Sequence, residues 1–97
     1  MFQLISFDLK FKEEALSEWH QLDSGIHQQY KRKLTERLLN PHVPAAKLSG
    51  QKDRYKIKLR TVGYRLVYEV RDTELIVLVV AVGKRERNAL YKNAARQ

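Results

Sequence analysis

Apolar residues recur every three to four positions in two successive segments of the first half of the chain, which is the period of an α-helix with one buried face. The two stripes are Phe11, Ala15, Trp19 and Leu22, followed by Ile26, Tyr30, Leu34 and Leu38. Asp23 or Ser24 is predicted to cap the second helix, and Asn40 with Pro41 to end it. The polar residues of that helix are predicted to face solvent: Lys31, Arg32, Lys33, Glu36 and Arg37. The pattern therefore predicts a helical hairpin.

From residue 54 the period of the apolar positions changes to two, which is the period of a β-strand. The alternation is strict over residues 55–60, where Lys56 and Lys58 are predicted to face away from the core. Two further strands are predicted over residues 64–70 and 75–82. The last of these is apolar on both faces, as expected of a strand in the centre of a sheet.

The flanking segments complete the predicted fold. Residues 2–8 are predicted to form a first strand, Pro44 to keep the connector after the hairpin extended, and residues 84–96 to form a weakly docked final helix. The expected fold is α+β, in a single domain spanning residues 1–97. It consists of an N-terminal strand, a helical hairpin, a three-stranded antiparallel meander joined in one sheet, and a short C-terminal helix.

Composition excludes several classes of protein. The sequence has no cysteine, which excludes disulfides and thiolate chemistry. The longest apolar run, residues 75–82, is far too short to span a membrane, and acidic residues interrupt any secretory signal near the N-terminus. A cytoplasmic protein without a membrane partner is expected. The histidines are expected to be surface residues, since their spacings match no metal site: His20, His27 and His42.

Charge is unevenly distributed along the chain. The net charge is +8, of which residues 1–51 contribute +1 (seven basic, six acidic) and residues 52–97 contribute +7 (twelve basic, five acidic). A basic excess in half of a small domain is typical of a phosphate-binding surface. The strands are expected to bring the candidate residues of this surface together: Lys56, Lys58, Arg65, Arg85 and Tyr91. Arginine and lysine bind phosphate oxygens, and an exposed tyrosine can stack on a base.

Three motifs in the second half carry a resemblance to a known family. They are YKIKLR at residues 55–60, GYRLVYEV at residues 63–70, and VGKRER at residues 82–87, with Tyr91 shortly after. In this combination the chain resembles the RelE family of bacterial toxins over essentially its whole length. The resemblance implies a ribosome-dependent endoribonuclease that cuts mRNA in the ribosomal A site and is held inactive by a RelB-like antitoxin. It also implies that the toxin–antitoxin complex binds operator DNA, and that no cofactor is needed.

The resemblance also implies roles for individual residues. Lys56 and Lys58 would be base and phosphate contacts, Arg65 and Arg85 would stabilise the transition state, and Tyr91 would stack on a base. Further RNA contacts are expected from Lys52, Arg54, Arg60, Lys84 and Arg87. Because RNA carries its own nucleophile, the 2′-OH, cleavage needs no metal, and either Lys56 or Lys58 would accept its proton if crowding by cations lowers the lysine pKa.

Two alternatives remain open from the sequence. The same fold hosts toxins that inhibit DNA gyrase without ribonuclease chemistry, although the five candidate residues argue against that reading. A non-catalytic RNA-binding module would need only the basic face.

Overall fold

A computed structural model describes residues 6–84 of the chain. In chain order the elements are β1 (Asp8–Phe11), α1 (Glu13–His20), α2 (Ser24–Leu39), a 3₁₀ turn (Pro44–Ala46), β2 (Arg54–Leu59), β3 (Tyr64–Arg71) and β4 (Ile76–Lys84). No helix in this part of the chain is long and apolar enough to cross a membrane.

The four strands form one mixed sheet in the order β1-β4-β3-β2. The meander β2-β3-β4 is antiparallel, and β1 pairs in parallel with β4, from Asp8 opposite Ile76 to Phe11 opposite Val79. As the apolar pattern predicted, β4 is a central strand; the structure places β2 at an edge. The α+β fold predicted from the sequence is confirmed.

The main core lies between the helices and one face of the sheet. The residues on the predicted stripes of α2 contribute to it, with Tyr30 and Leu34 almost completely buried, and so do Tyr55, Ile57 and Leu59 of β2. A smaller apolar cluster covers part of the other face and consists of Leu48, Val67, Val80 and Ala81. Burial on both faces explains why β4 is continuously apolar.

The first helix begins later than the apolar stripe predicted. Phe11 belongs to β1, and Lys12, in extended conformation, precedes the first residue of α1. The spacing was misleading because the Phe11 ring packs against Trp19, with centroids 5.1 Å apart, so strand and helix residues share one cluster. Leu22 likewise follows α1 and packs on the core from the connection. The strand predicted over residues 2–8 falls partly outside the described residues.

The second helix begins and ends as predicted. The Asp23 carboxylate accepts a hydrogen bond from the Ile26 N–H at 2.9 Å, and Asn40 follows the last helical residue. Three local predictions are wrong. Pro44 begins a 3₁₀ turn, for which its fixed φ is suited, Leu75 lies in the turn before β4 with φ 56°, and Lys84 belongs to β4 rather than to a helix. The rest of the predicted final helix lies outside the described residues.

Candidate functional site

The β2–β3 hairpin places three predicted site residues on one face of the sheet, opposite the helices. In its register Lys58 stands directly opposite Arg65, and Lys56 stands opposite Val67. Residues directly opposite in an antiparallel pair have Cβ atoms about 4.5–5.5 Å apart. The sheet therefore brings Lys56, Lys58 and Arg65 together, as the alternation of the sequence predicted.

A cleft of about 360 Å³ opens at the turn end of this hairpin. It is lined by Lys58, Leu59, Arg60, Gly63, Tyr64 and Arg65. Gly63 has a φ of 70°, which glycine adopts without strain, and its N–H donates to the Arg60 carbonyl at 3.3 Å. The cleft thus combines three cations with an aromatic ring and is open to a ligand.

Tyr64 is a candidate that the sequence did not single out. Its parity places it on the core face, and it does pack partly against the core, yet it also lines the cleft. Lys84 of β4 stands opposite it, with the ammonium 6.0 Å from the ring centroid. The signal that could have identified Tyr64 is its position at the first residue of a strand, directly after a glycine turn.

Arg65 is more enclosed than an exposed basic face implies. The residue is 9% exposed, and it is the one buried charged residue in the part of the chain that the structure describes. A buried guanidinium interacts more strongly with a negative charge than an exposed one, because less water screens it. It also loses little side-chain freedom when a ligand binds. Arg65 is therefore suited to stabilising developing negative charge in the cleft.

The cations around Lys58 change its acidity. The Lys56 ammonium is the largest cause that lowers the pKa of Lys58, followed by Arg65, with smaller contributions from desolvation, Arg60 and a hydrogen bond with Lys56. Like charges disfavour the protonated ammonium, so Lys58 gives up its proton more readily than a free lysine. A lysine that acts as a base needs such crowding by cations, because it lowers the pKa of the ammonium.

Two of the predicted RNA contacts lie at the other end of the hairpin. Arg54 forms an ion pair with Glu69 at 3.2 Å and is 14% exposed, and Glu69 also accepts from Arg71 at 2.9 Å. Lys52 lines an open depression that also contains carboxylates: Asp53, Glu69, Asp72 and Glu74. The structure does not bring Lys52 and Arg54 to the cleft at the hairpin turn. Arg60 lines that cleft, and the Lys84 ammonium lies over the Tyr64 ring that also lines it.

Arg37, predicted to face solvent, is instead half-buried between α2 and the sheet. Its Nη1 donates to the Tyr68 hydroxyl at 2.8 Å and to the Lys56 carbonyl at 3.3 Å, and the Tyr68 hydroxyl donates to the Pro41 carbonyl at 2.7 Å. These bonds fix the backbone of β2 at Lys56. Sequence spacing gave no signal for this, because the partners come from distant segments.

His42 links the connector to β2 and to the turn after β3. One ring nitrogen shares a hydrogen bond with the Tyr55 hydroxyl at 2.7 Å, and the other with Asp72 at 2.8 Å. His27 also has contacts, since its ring stacks on Trp19 and bonds to the Trp19 carbonyl. His42 is exposed, as the sequence predicted for a surface residue, whereas His27 is partly buried. Residues 6–84 contain no group of three or more histidine or acidic side chains that could hold a metal ion.

Three predicted site residues lie outside the described residues: Arg85, Arg87 and Tyr91. Of the other predicted catalytic residues, Lys58 and Arg65 line the cleft at the hairpin turn, and Lys56 lies beside it on the same face of β2.

Comparisons with known proteins agree with one another. Residues 9–89 match the family described as the ParE toxin of the type II toxin–antitoxin system parDE. The chain is 48% identical over 93 residues to the mRNA interferase toxin RelE of Escherichia coli strain K12, and the aligned region covers 96% of this chain and 98% of that protein. It is 56% identical over 89 residues to a RelE-like toxin protein of E. coli, covering 92% of this chain and 94% of the relative.

A solved structure gives the same relationship. The crystal structure of the intact E. coli RelBE toxin–antitoxin complex contains a chain that matches with a TM-score of 0.82 and 51% sequence identity. The match covers 84% of this chain and 100% of that chain.

Proposed function

The chain belongs to the RelE/ParE family of type II toxins, and on that premise we propose that it cuts mRNA in the ribosomal A site with Lys58 and Arg65 at the centre of the reaction. It is the toxin of a toxin–antitoxin system and an mRNA interferase, which is an endoribonuclease. The observation that carries the proposal is the direct pairing of Lys58 with Arg65 at an open cleft.

The proposed reaction uses the nucleophile that RNA itself carries. Neutral Lys58 accepts the proton of the 2′-OH, and the 2′-oxygen attacks the adjacent phosphorus. The bond from phosphorus to the 5′-oxygen breaks, and the leaving oxygen takes up a proton from water, which gives a 2′,3′-cyclic phosphate and a 5′-hydroxyl. Arg65 stabilises the extra negative charge on the phosphorane, because its guanidinium offers N–H donors to two oxygens. Lys56 holds the pKa of Lys58 down and contacts phosphate.

Residues outside the described part of the chain complete this proposal. Arg85 is proposed as a second stabiliser of the phosphorane, Tyr91 as a stacking partner for a base, and Arg87 as an RNA contact. Within the described residues, Arg60, Lys84 and Tyr64 are proposed to bind the message near the cleft. Lys52 and Arg54 are proposed to contact RNA more weakly, because carboxylates lie beside both.

Dependence on the ribosome follows from what the cleft offers. The described side chains that line it are cations, one tyrosine and apolar groups, so these residues contribute charge and one base but little orientation of a flexible strand. In-line attack requires the 2′-oxygen, the phosphorus and the leaving oxygen to be aligned. A message held in the decoding site supplies that alignment, so free RNA is expected to be cut far more slowly.

An acidic antitoxin is the proposed partner. The chain carries a net charge of +8, and a matched antitoxin segment of negative charge would cover the cleft. The similar toxin chain was crystallised in a toxin–antitoxin complex. We propose a RelB-like antitoxin that folds on binding, a cytoplasmic site of action, and binding of the complex to operator DNA.

Cleavage of ribosome-bound message tests the function. Purified toxin is incubated with programmed ribosomes, with the same message free in solution, and with DNA gyrase as a separate target. Cleavage on ribosomes alone supports the proposal. Binding to ribosomes without cleavage would leave a non-catalytic module, and gyrase inhibition without cleavage would indicate the other toxin class of this fold.

A further inference from the structure

A second basic cleft lies along the seam between α2, the connector and the edge strand β2. Its volume is about 320 Å³. Five cations line it: Lys33, Arg37, Lys56, Lys58 and Arg60. Two of these, Lys33 and Arg37, belong to α2 and were not among the candidate site residues.

The remaining lining of this cleft is apolar. It consists of Val43, Ala45, Ala46 and Ile57, so none of the described residues that line the cleft is acidic or aromatic. The cleft at the hairpin turn differs in this respect, because Tyr64 lines it. A site with cations and small apolar groups can hold a phosphate backbone, but it offers no ring on which a base could stack.

The two clefts are continuous around the edge of the sheet. Lys58 and Arg60 line both of them, and among residues 6–84 no further strand lies beyond the edge strand β2. A ligand in the second cleft would therefore lie beside the substrate strand rather than in its path. The positive charge of each cleft also increases the attraction of the other for anions.

Arg37 gives the second cleft a fixed donor. Both of its hydrogen bonds, to the Tyr68 hydroxyl and the Lys56 carbonyl, come from the single nitrogen Nη1. A guanidinium carries five N–H donors, and anchoring through one nitrogen orients the group without neutralising its charge. Lys33, by contrast, is exposed on α2 and can follow a moving phosphate.

We propose that the cleft lined by Lys33 and Arg37 binds the phosphate backbone of folded RNA. In the proposed function, on which this inference rests, that RNA is ribosomal RNA beside the message. Paired bases are stacked inside a helix and present mainly their backbone to a protein, which suits a cleft without an aromatic ring. The substrate strand, whose bases are unpaired, is bound by the cleft that contains Tyr64.

The test compares two variants with the same change of charge on the same helix. Lys33→Gln removes a cation from the cleft, whereas Lys31→Gln removes one from the opposite side of α2, where Lys31 lines a groove with Leu9 and Phe11. Binding of each toxin to vacant ribosomes, which carry no message, is measured over a series of salt concentrations. Lys33→Gln is expected to weaken binding roughly three- to tenfold at moderate salt and to reduce the slope of log Kd against log salt by about 1. Lys31→Gln should match the parent protein.

Three results would overturn the inference. Equal effects of the two variants would mean that net charge alone matters. A loss that is as large on an unstructured RNA oligonucleotide as on vacant ribosomes would assign the cleft to the message. A loss of affinity for the antitoxin with unchanged ribosome binding would assign it to an acidic peptide.

The outcome is independent of whether the chain cuts RNA. Cleavage by the control variant Lys31→Gln is expected to proceed at the parental rate, since Lys31 lines neither of the two basic clefts. If the parent protein itself cut nothing, the proposed catalytic function would fail, while the binding comparison would still decide the role of the second cleft.

Discussion

The proposed role of Lys58 as a base depends on the cations that surround it. The Lys56 ammonium is the main cause that lowers its pKa, with Arg65 second. If Lys58 is the base, the rate of cleavage rises with pH as the ammonium loses its proton. Removing the Lys56 charge by Lys56→Gln is expected to move that rise to higher pH, because the pKa of Lys58 returns toward its ordinary value. The pH–rate profile of single-turnover cleavage on ribosomes measures the shift.

The companion variant Lys58→Arg keeps the charge but cannot accept a proton. It is expected to lose roughly 10²- to 10⁴-fold in rate, the usual contribution of a positioned acid or base, across the whole pH range. Cleavage by Lys58→Arg at the parental rate would contradict the assignment. A profile for Lys56→Gln that coincides with the parent would contradict the proposed influence of Lys56.

Removing the hydroxyl group from two buried tyrosines is expected to have opposite effects on stability. The Tyr30 hydroxyl is buried without a hydrogen-bond partner among the described residues, and burial followed by the proximity of Tyr64 raises its pKa. Tyr30→Phe removes an unsatisfied polar group and is expected to raise the free energy of unfolding by about 1 kcal/mol. The Tyr68 hydroxyl bonds to both Arg37 and Pro41. Tyr68→Phe should lower the free energy of unfolding by about 1–3 kcal/mol, because the Pro41 carbonyl and one N–H of Arg37 lose their hydrogen bonds.

Denaturant titrations of the two variants and the parent measure both changes. The pair controls for the loss of a hydroxyl as such, since the same atom is removed from two buried rings. Destabilisation of similar size in both would show that the Tyr30 hydroxyl has a partner in solution.

At this scale the sequence identified the faces of residues but not their surroundings. Strict alternation was enough to place Lys56 and Lys58 on one face. It was not enough for Arg65, whose 9% exposure depends on neighbours from other segments, or for Arg37, which donates hydrogen bonds to residues of β2 and β3. Distances between segments far apart in the chain are not encoded in local periodicity.

At the scale of elements, Glu69 forms ion pairs at the end of the β2–β3 hairpin that is remote from its turn, and the pair with Arg54 links the two strands. Partial burial raises the pKa of Glu69, but hydrogen bonds from Arg71 and Arg54 outweigh it and hold the pKa below its ordinary value. Because the folded-state pKa lies below the unfolded one, this carboxylate stabilises the fold above about pH 4.3. That contribution is lost as the pH falls through the folded-state pKa.

Glu69→Gln is therefore expected to flatten the fall in the free energy of unfolding between about pH 5 and pH 3, by on the order of 1 kcal/mol. Glu74→Gln is the matched control, since its carboxylate is 3.9 Å from Arg71 and its side chain is 56% exposed. Urea titrations across this pH range measure the difference. An unchanged pH dependence in Glu69→Gln would show that the bridge between β2 and β3 contributes little.

The elements themselves followed from the sequence better than their boundaries. The meander, the helical hairpin and the Asp23 cap were predicted because each depends on local spacing and local hydrogen bonds. The start of α1 was wrong, because Phe11 packs on Trp19 from a strand and so imitates the next turn of a helix. The parallel pairing of β1 with β4 joins residues far apart in the chain, and no local pattern specifies its direction.

For the molecule as a whole, charge is polarised along the strands. The cleft at the hairpin turn and the second cleft, which shares Lys58 and Arg60 with it, have only basic residues among their charged lining. The depression at the other end is lined by four acidic residues and two basic ones: Asp53, Glu69, Asp72 and Glu74, with Lys52 and Arg71. Such a distribution orients a protein as it approaches a polyanion. Association with ribosomes is expected to slow steeply as salt increases, while single-turnover cleavage after binding stays nearly constant.

Glu74→Lys separates orientation from net charge. The substitution replaces a negative charge by a positive one at the end remote from the clefts, which raises the net charge by two. If net charge governed association, the variant would bind ribosomes faster. If the polarity of the molecule governs it, stopped-flow measurements at low salt should find no acceleration, since more encounters would begin at the wrong end.

The parallel pairing of β1 with β4 has a consequence for the order of folding during synthesis. Asp8 leaves the ribosome early, but its partner Ile76 is made only near the end of the described chain. Closing so long a loop is slow, and β1 cannot enter the sheet before β4 exists. The β2–β3 hairpin, with its cations, is thus completed before the sheet that supports it. A nascent toxin is accordingly expected to stay incompletely folded, and unable to act on its own message, while most of that message is being read.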